Sequence, residues 1–308
     1  MKTLDIVIPI YRSKLTLEAL INRLNEWVES GGNGHNVRVI FVEDGSGDGT
    51  FDFLMSLKPH IHFSFEAIRL NRNYGQHTAI AVGLAATTAD NVAVMDDDLQ
   101  HDPFEIDHLM NKLNESGADL VYGTYKEKQH NVVRNLASRI LKRITKSKTV
   151  DFSSVTSFKV MRSSVLTTLK YQSSPVIFVD VYLLESAGKV ETCTVNHAKR
   201  AAGVSTYSNR KLIRLTLGIF LFHSSLPLKM IVRIGLLMSI VFFGLSCYYV
   251  YQKLFNDVEM GFTTIIVSIF LSTGLILVSL GIIGEYIRRI WVHQNHLERV
   301  IIAEKQTS

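Results

Sequence analysis

Between Asn91 and Pro103 the chain reads NVAVMDDDLQHDP. A short apolar, β-branched run ends in three consecutive carboxylates, and Pro103 suits the first turn of a following helix. A helical pattern covers about 76–88 before this run, and another extends from Pro103 to about Ser116. The same alternation holds outward along the first 200 residues. LDIVIPI (4–10) precedes a helical stretch over 14–30, and VRVIFVED (37–44) ends in the turn-rich GSGDGT. HFSFEAIRL (62–70) and ADLVYG (118–123) complete five candidate strands. Strands separated by helices predict an α/β, doubly wound, mostly parallel sheet. Such sheets bind ligands beyond the carboxyl ends of their strands, and the polar clusters of this sequence fall there.

Asp96, Asp97 and Asp98 repel one another at one strand end, and a divalent cation relieves that repulsion. Hard oxygen ligands select Mg²⁺ or Mn²⁺, with the rest of the shell from phosphate and water. Side chains alternate along an extended segment, so Asp96 and Asp98 form the ligand pair and Asp97 points elsewhere. A solvated helix cap is the plainer reading of the same run. His101 reads either as a ligand or as a polar residue at the helix entry. Two further clusters follow strands one and two: Pro9, Ile10, Tyr11, Arg12 and Ser13, then Glu43 to Thr50. An acidic residue at a strand end followed by glycines suits a hydrogen bond to a base or ribose, although EDGSGDGT also suits a tight turn and an N-cap.

The chain has 308 residues, 47% of them hydrophobic, a net charge of +5 and a mean hydropathy of +0.16. This composition excludes a disordered or low-complexity chain. Residues 1–125 carry a balance of −9, residues 126–214 one of +12, and residues 215–308 one of +2. Cys193 and Cys247 are too few for a disulfide framework or a thiolate metal site. Two uncharged runs, 234–251 and 262–284, would span about 27 and 35 Å as helices, enough for a bilayer core of about 30 Å. A pair of buried core helices is the rival reading. The short link between the runs makes a hairpin with both outer ends on one side. Lys229, Arg233, Arg288 and Arg289 flank those ends, which predicts that both termini are cytoplasmic. The opening MKTLDIVIPIY, interrupted by Asp5, does not read as a signal peptide. The segment 208–228 interleaves basic and apolar residues and reads as an amphipathic helix on the membrane surface. The predicted organisation is a catalytic domain over 1–207, this juxtamembrane segment, two spans within 229–287, and a cytoplasmic tail over 288–308. The basic charge is then explained by the membrane, and nothing in the sequence points to nucleic acid. Gly235, Gly244, Gly274 and Gly281 permit close helix packing, including with a second copy of the chain.

Taken together, IVIPIY, VEDGSGDGT, LNRNYGQHTAIAVGL, VMDDDLQHDP, YGT, RNLAS, SFKVMR and HAKRAAGVSTYSNRKL, followed by the hairpin, resemble the inverting family 2 glycosyltransferases with a GT-A fold. Within that family the resemblance is to the polyprenyl-phosphate glycosyltransferases, which include bactoprenol glucosyltransferases, dolichol-phosphate mannose synthases and undecaprenyl-phosphate aminoarabinose transferases. It covers nearly the whole chain. It implies that Pro9, Tyr11 and Asp44, with Asp97 beside them, hold the nucleotide-sugar. It further implies that Asp96, Asp98 and Gln100 hold the metal and the donor diphosphate. Arg134 and Ser138 would hold the lipid phosphate, with Arg200 and Ser205 near the phosphates. The implied catalytic set is Asp96, Asp97, Asp98, Arg134 and Arg200. The implied partners are a nucleotide-sugar, with UDP-glucose the first expectation and mannose, N-acetylhexosamine or aminoarabinose donors the alternatives, and undecaprenyl phosphate at a bacterial inner membrane.

Several positions depart from the commoner pattern: Arg12-Ser13 for Asn-Glu, Tyr125 for arginine, Thr206 for lysine, and Thr156-Ser157 for glycine or an acidic residue. A processive polysaccharide synthase would usually carry a Gln-x-x-Arg-Trp motif, and no Arg-Trp dipeptide occurs here, the tryptophans being Trp27 and Trp291. A non-catalytic scaffold on a decayed transferase fold is the remaining alternative, and the intact acidic cluster argues against it.

Overall fold

A computed structural model describes residues 3–124, 155–167, 178–196, 261–294 and 300–307, with isolated positions between 233 and 255. The chain divides into two compact units, Met1–Ile219 with Arg299–Ser308, and Phe220–Glu298.

The first unit is built on one eight-stranded sheet. Its first part alternates as the hydrophobic pattern requires: β1 (Thr3–Ile10), α1 (Lys14–Glu29), β2 (Asn36–Glu43), α2 (Thr50–Ser56), β3 (Ser64–Leu70), α3 (Gln76–Ala86), β4 (Asn91–Val94), α4 (Glu105–Ser116) and β5 (Leu120–Thr124). Then follow β6 (Lys159–Arg162), α5 (Val179–Ser186), β7 (Val190–Thr194) and, after the second unit, β8 (Ile302–Thr307). The strand order is β7-β5-β6-β4-β1-β2-β3-β8. Pairs β1–β2, β1–β4, β2–β3 and β5–β7 are parallel. Strand β6 runs antiparallel to β4 and β5, and β8 antiparallel to β3. The doubly wound, mostly parallel sheet is the one predicted, and the five predicted strands are β1 to β5.

Both faces of the sheet are covered. Leu4, Ile6, Ile8 and Ile10 of β1 pack with Leu17, Leu20, Leu24 and Trp27 of α1, which recur at helical spacing on its inner face. Val7 points the other way, among Ile80 and Leu84 of α3, Val94 and Tyr122. Helix α3 lies close to the sheet: a Cβ on Gly83 would stand 2.3 Å from Cγ1 of Val7. Buried aliphatic runs on both faces are what a parallel sheet needs.

Strand order places the site. The chain steps from β1 outward through β2 and β3, then returns to the far side of β1 with β4. The loops after β1 and β4 therefore diverge at a topological switch point. Pro9 occupies β1 at a position facing Val42 of β2. The Val7 carbonyl accepts the N–H of Met95, so alternate residue Pro9 turns to the same side. There β4 has already ended, and the missing N–H costs no ladder bond.

The second unit contains α6, a single helix over Phe262–Gln294 that includes the whole predicted second span. Among the described residues no helix is long and apolar enough to cross a membrane. The membrane reading of 234–251 and 262–284 rests on the sequence. The predicted first span is described only at isolated positions, and the juxtamembrane segment 208–228 lies outside the described residues.

Strand β8 has no counterpart in the sequence reading, which leaves 288–308 as a tail. Here it closes the β3 edge, with Arg69 paired to Glu304 at 2.8 Å and Lys305 to Glu66 at 2.9 Å. Its charged, alternating sequence IAEKQT is too polar to announce a strand.

Candidate active site

Four loops meet at the carboxyl edge of the sheet. After β1, Tyr11 is 43% exposed, and the guanidinium of Arg12 lies 5.2 Å from its ring centre. The Arg12 backbone is left-handed (φ +56°), and its N–H donates to Oγ of Ser46 at 3.0 Å. After β4, Leu99 is likewise left-handed (φ +60°). Among the described residues these are the only non-glycine positions with positive φ. Backbone strain of this kind collects at functional sites, where surrounding structure holds it in place.

After β2, Glu43 and Asp44 are both buried. Oε1 of Glu43 accepts the N–H of Ser46 at 2.5 Å. Asp44 accepts two backbone bonds, from Tyr74 N–H at 2.7 Å and Gly75 N–H at 2.8 Å. Burial raises its carboxyl above the ordinary value, and these two N–H groups pull it back. Gly45 has φ +58°, and a Cβ there would stand 2.2 Å from the carbonyl carbon of Arg72. Only glycine lets these two loops touch. The structure thus gives Asp44 the task of holding the loop 71–75, a task that the sequence reading, which assigns it to base or ribose, does not contain.

The carboxylates of the acidic cluster take different partners, beginning with Asp97. Its carboxylate turns to β1 and accepts a hydrogen bond from Oγ of Ser13. Burial pushes the Asp97 carboxyl up to about 7; the Ser13 bond opposes this, and the charges of Asp96 and Asp98 add to it. Asp96 is held by two other elements. Its Oδ1 accepts Nε2 of Gln76 at 2.6 Å, and its Oδ2 accepts Oγ of Ser157 at 2.5 Å. Burial raises its carboxyl as well. Asp98 accepts the backbone N–H of Gln100 at 3.1 Å, an Asx turn that carries the chain over Leu99. His101 is 3% exposed and stacked on Phe158, with ring centres 4.8 Å apart. Asp102 closes the turn, accepting Nε and Nη2 of Arg23 at 3.1 and 2.7 Å.

Among the described residues no group of three or more His, Cys, Asp or Glu side chains converges on a metal-sized site. The donor set nevertheless suits a hard cation: the carboxylates of Asp96 and Asp98 and the amide oxygen of Gln100 are all oxygens, at one strand end. Such a set leaves ligand positions for phosphate and water.

Beneath the cluster lies a buried ionic group. Lys159 is 0% exposed, and its ammonium bonds Asp180, which also accepts the Tyr122 hydroxyl at 2.9 Å. Burial pushes the Tyr122 phenol well above its ordinary value. Burial also holds the neighbouring His77 imidazole down, near 4.

The structure therefore brings together Pro9, Tyr11, Asp44, Asp96, Asp97, Asp98 and Gln100 at one edge. The predicted phosphate ligands Arg134, Ser138, Arg200 and Ser205 lie outside the described residues. Ser13, Glu43, Ser46, Gln76 and Ser157 were not assigned roles from sequence. For Ser13 and Ser157 the only signal is that they stand at departures from the commoner pattern.

Residues 5–167 match the sequence profile described as Glycosyl transferase family 2. The chain belongs to glycosyl transferase family 2. It is a glycosyltransferase with a GT-A-type α/β fold. This family 2 chain is 29% identical over 294 residues to the undecaprenyl-phosphate 4-deoxy-4-formamido-L-arabinose transferase of Enterobacter sp. (strain 638), an alignment covering 93% of this chain and 88% of the relative. Its identity to the protein of that name from Yersinia pestis (strain Pestoides F) is also 29%, covering 94% and 89%. Among solved structures it is similar to glucosyl-3-phosphoglycerate synthase from Mycobacterium tuberculosis in complex with Mn²⁺, uridine-diphosphate and phosphoglyceric acid. That likeness has a TM-score of 0.52 at 17% identity, covering 71% of this chain and 76% of the other. The complex of the same enzyme with Mn²⁺, UDP-glucose and phosphoglyceric acid also gives 0.52 at 17% identity, covering 71% and 78%. At that identity the likeness speaks for the fold alone.

Proposed function

We propose that this glycosyltransferase moves a sugar from a nucleoside-diphosphate sugar to a polyprenyl phosphate, with inversion, at the cytoplasmic face of a bacterial inner membrane. The observation that carries this reading is the acidic turn Asp96–Gln100 at the switch point of a family 2 sheet, in a chain aligned over nearly its full length with undecaprenyl-phosphate sugar transferases. The names of those relatives favour 4-deoxy-4-formamido-L-arabinose over the glucose first expected.

Asp98, Gln100 and Asp96 would hold a Mg²⁺ or Mn²⁺ ion beside the donor diphosphate. When bound, the ion supplies Lewis-acid neutralisation of charge on the departing diphosphate. The exposed ring of Tyr11 offers a stacking face for the base. Ser13 would fix the orientation of the Asp97 carboxylate beside the nucleotide-sugar. Arg134, Ser138, Arg200 and Ser205 would orient the acceptor phosphate, a gain through proximity. The acceptor oxygen is already anionic near neutral pH, so no strong general base is needed. One displacement at the anomeric carbon inverts its configuration.

The membrane role rests on sequence. Residues 262–284 carry no charge and lie within one helix, whose 23-residue uncharged part would span about 35 Å. With 234–251 as the first span, small residues at Gly274 and Gly281 would allow packing against a second copy.

The test is product formation. Membranes containing the chain are incubated with undecaprenyl phosphate, Mg²⁺ or Mn²⁺, and labelled UDP-4-deoxy-4-formamido-L-arabinose or UDP-glucose. Metal-dependent label in the organic phase from one donor supports the reading and names the sugar. Asp98→Ala should abolish that label while the protein stays folded. Full activity of folded Asp98→Ala would overturn the metal assignment.

A further inference from the structure

We propose that Gln76 and Ser157 are positioning residues that lock the Asp96 carboxylate in one orientation for the cation. The inference rests on the reading above, in which Asp96 and Asp98 hold that cation. It concerns the motif NRNYGQ, residues 71–76, to which the proposed reaction assigns no task.

Asp96 lies two residues beyond β4, where the ladder no longer holds the chain. Its two oxygens are held from two different elements. Gln76, the first residue of α3, donates to Oδ1, and Ser157, in the segment entering β6, donates to Oδ2. One bond on each oxygen fixes the rotation of the carboxylate plane. Each oxygen keeps a second lone pair for another ligand.

Both donors are themselves fixed. The two residues before Gln76 bond Asp44 through their N–H groups, and the Gly75 carbonyl accepts the N–H groups of Thr78 and Ala79 at 2.9 and 3.1 Å. Ser157 stands between two anchored neighbours. Thr156 Oγ1 lies 2.7 Å from the Gly123 carbonyl, and Phe158 is fully buried with its carbonyl accepting the Gly123 N–H at 2.9 Å. Loop 74–76 thus links carboxylates at the ends of β2 and β4, across the intervening β1. Partners of this kind, one step removed from a metal, orient its ligands and commonly change affinity 10- to 100-fold.

The experiment uses purified full-length protein. Mn²⁺ is titrated in the presence of uridine diphosphate, and free Mn²⁺ is followed by electron paramagnetic resonance. Gln76→Met, Ser157→Ala, their double variant, Ser157→Thr and Asp98→Asn are compared with the parent. The double variant should bind Mn²⁺ about 10- to 100-fold more weakly, each single variant less so. Ser157→Thr, which keeps a hydroxyl, should stay within about twofold of the parent, well short of that 10- to 100-fold loss. The single variants, each removing one bond, give the same sign if the double variant fails to fold. Parent-like Mn²⁺ affinity in the folded single variants and the double, with binding lost in Asp98→Asn, would overturn the positioning role and leave the cation site standing. Equal weakening by Ser157→Ala and Ser157→Thr would overturn the role of the hydroxyl. Parent-like binding in Asp98→Asn would remove the cation reading itself, and this inference with it.

Discussion

The backbone N–H of Tyr74 donates to Oδ1 of Asp44 at 2.7 Å, and so ties the loop after β3 to the end of β2. Gly75 N–H takes the other oxygen. Removing the carboxylate would leave two partly buried donors unpaired, at about 1–3 kcal/mol each. Asp44→Ala should therefore destabilise the protein by about 2–6 kcal/mol and raise the donor KM, because Gln76 rides on the same loop. Asp44→Asn keeps one acceptor and should lose less. Thermal unfolding and donor kinetics check both; an unchanged melting temperature in Asp44→Ala would show that the loop is held by other means.

Asp97 sets a pH dependence. Its folded-state pKa, about 7, lies above the ordinary 3.8, so the folded chain binds this proton more tightly than the unfolded chain does. The charged form is the disfavoured one. The resulting penalty is full above pH 7 and fades as pH falls toward 4. In metal-free buffer, Asp97→Asn should raise the melting temperature at pH 8 by about 5 °C and change it little at pH 4. Melting curves across that window decide the matter, and an equal shift at both pH values would refute the assignment.

The Lys159–Asp180 pair is buried with a Tyr122 hydroxyl as third partner. Removing one charge strands the other, at about 3–5 kcal/mol. Lys159→Met should cost that much. The double variant Lys159→Met/Asp180→Leu should cost less than Lys159→Met alone, since no charge remains buried. Urea midpoints followed by the fluorescence of core residue Trp27 measure both. A double variant weaker than either single one would count against this account.

Strand β8 supports the donor edge. The Ile301 carbonyl accepts the N–H of Asn71 at 3.0 Å, and Ile301 N–H donates to the Tyr74 hydroxyl at 3.2 Å. Deleting residues 300–308 would uncover the β3 edge and free Arg69 from Glu304. Amide exchange in 64–75 should accelerate at least about tenfold, and the exposed edge should promote aggregation. Unaltered protection in β3 would show that the strand is not needed there.

Much of this site is legible in the amino-acid sequence. Asp96, Asp97 and Asp98 announced themselves because three adjacent carboxylates after an apolar run have few purely structural uses. Asp97 bonds Ser13, while Asp96 bonds Gln76 and Ser157. Ser13, Gln76 and Ser157 were not legible as partners. They lie 84, 20 and 61 residues from the carboxylates they bond, and a lone serine or glutamine carries no pattern.

Residues close together in the chain suffice for the class of sheet, the succession of β1 to β5 along the chain, the acidic turn and the two apolar runs. Each of these follows from hydrophobic periodicity or from chemistry within a few neighbouring residues. Tertiary structure alone decided that Asp44 serves the loop at Tyr74 and that Asp96 is gripped from both sides. It also decided that IAEKQT becomes a strand. Those outcomes depend on which distant segments the sheet order brings within hydrogen-bond reach, and a carboxylate or a polar edge strand acquires its role only from the neighbour it meets.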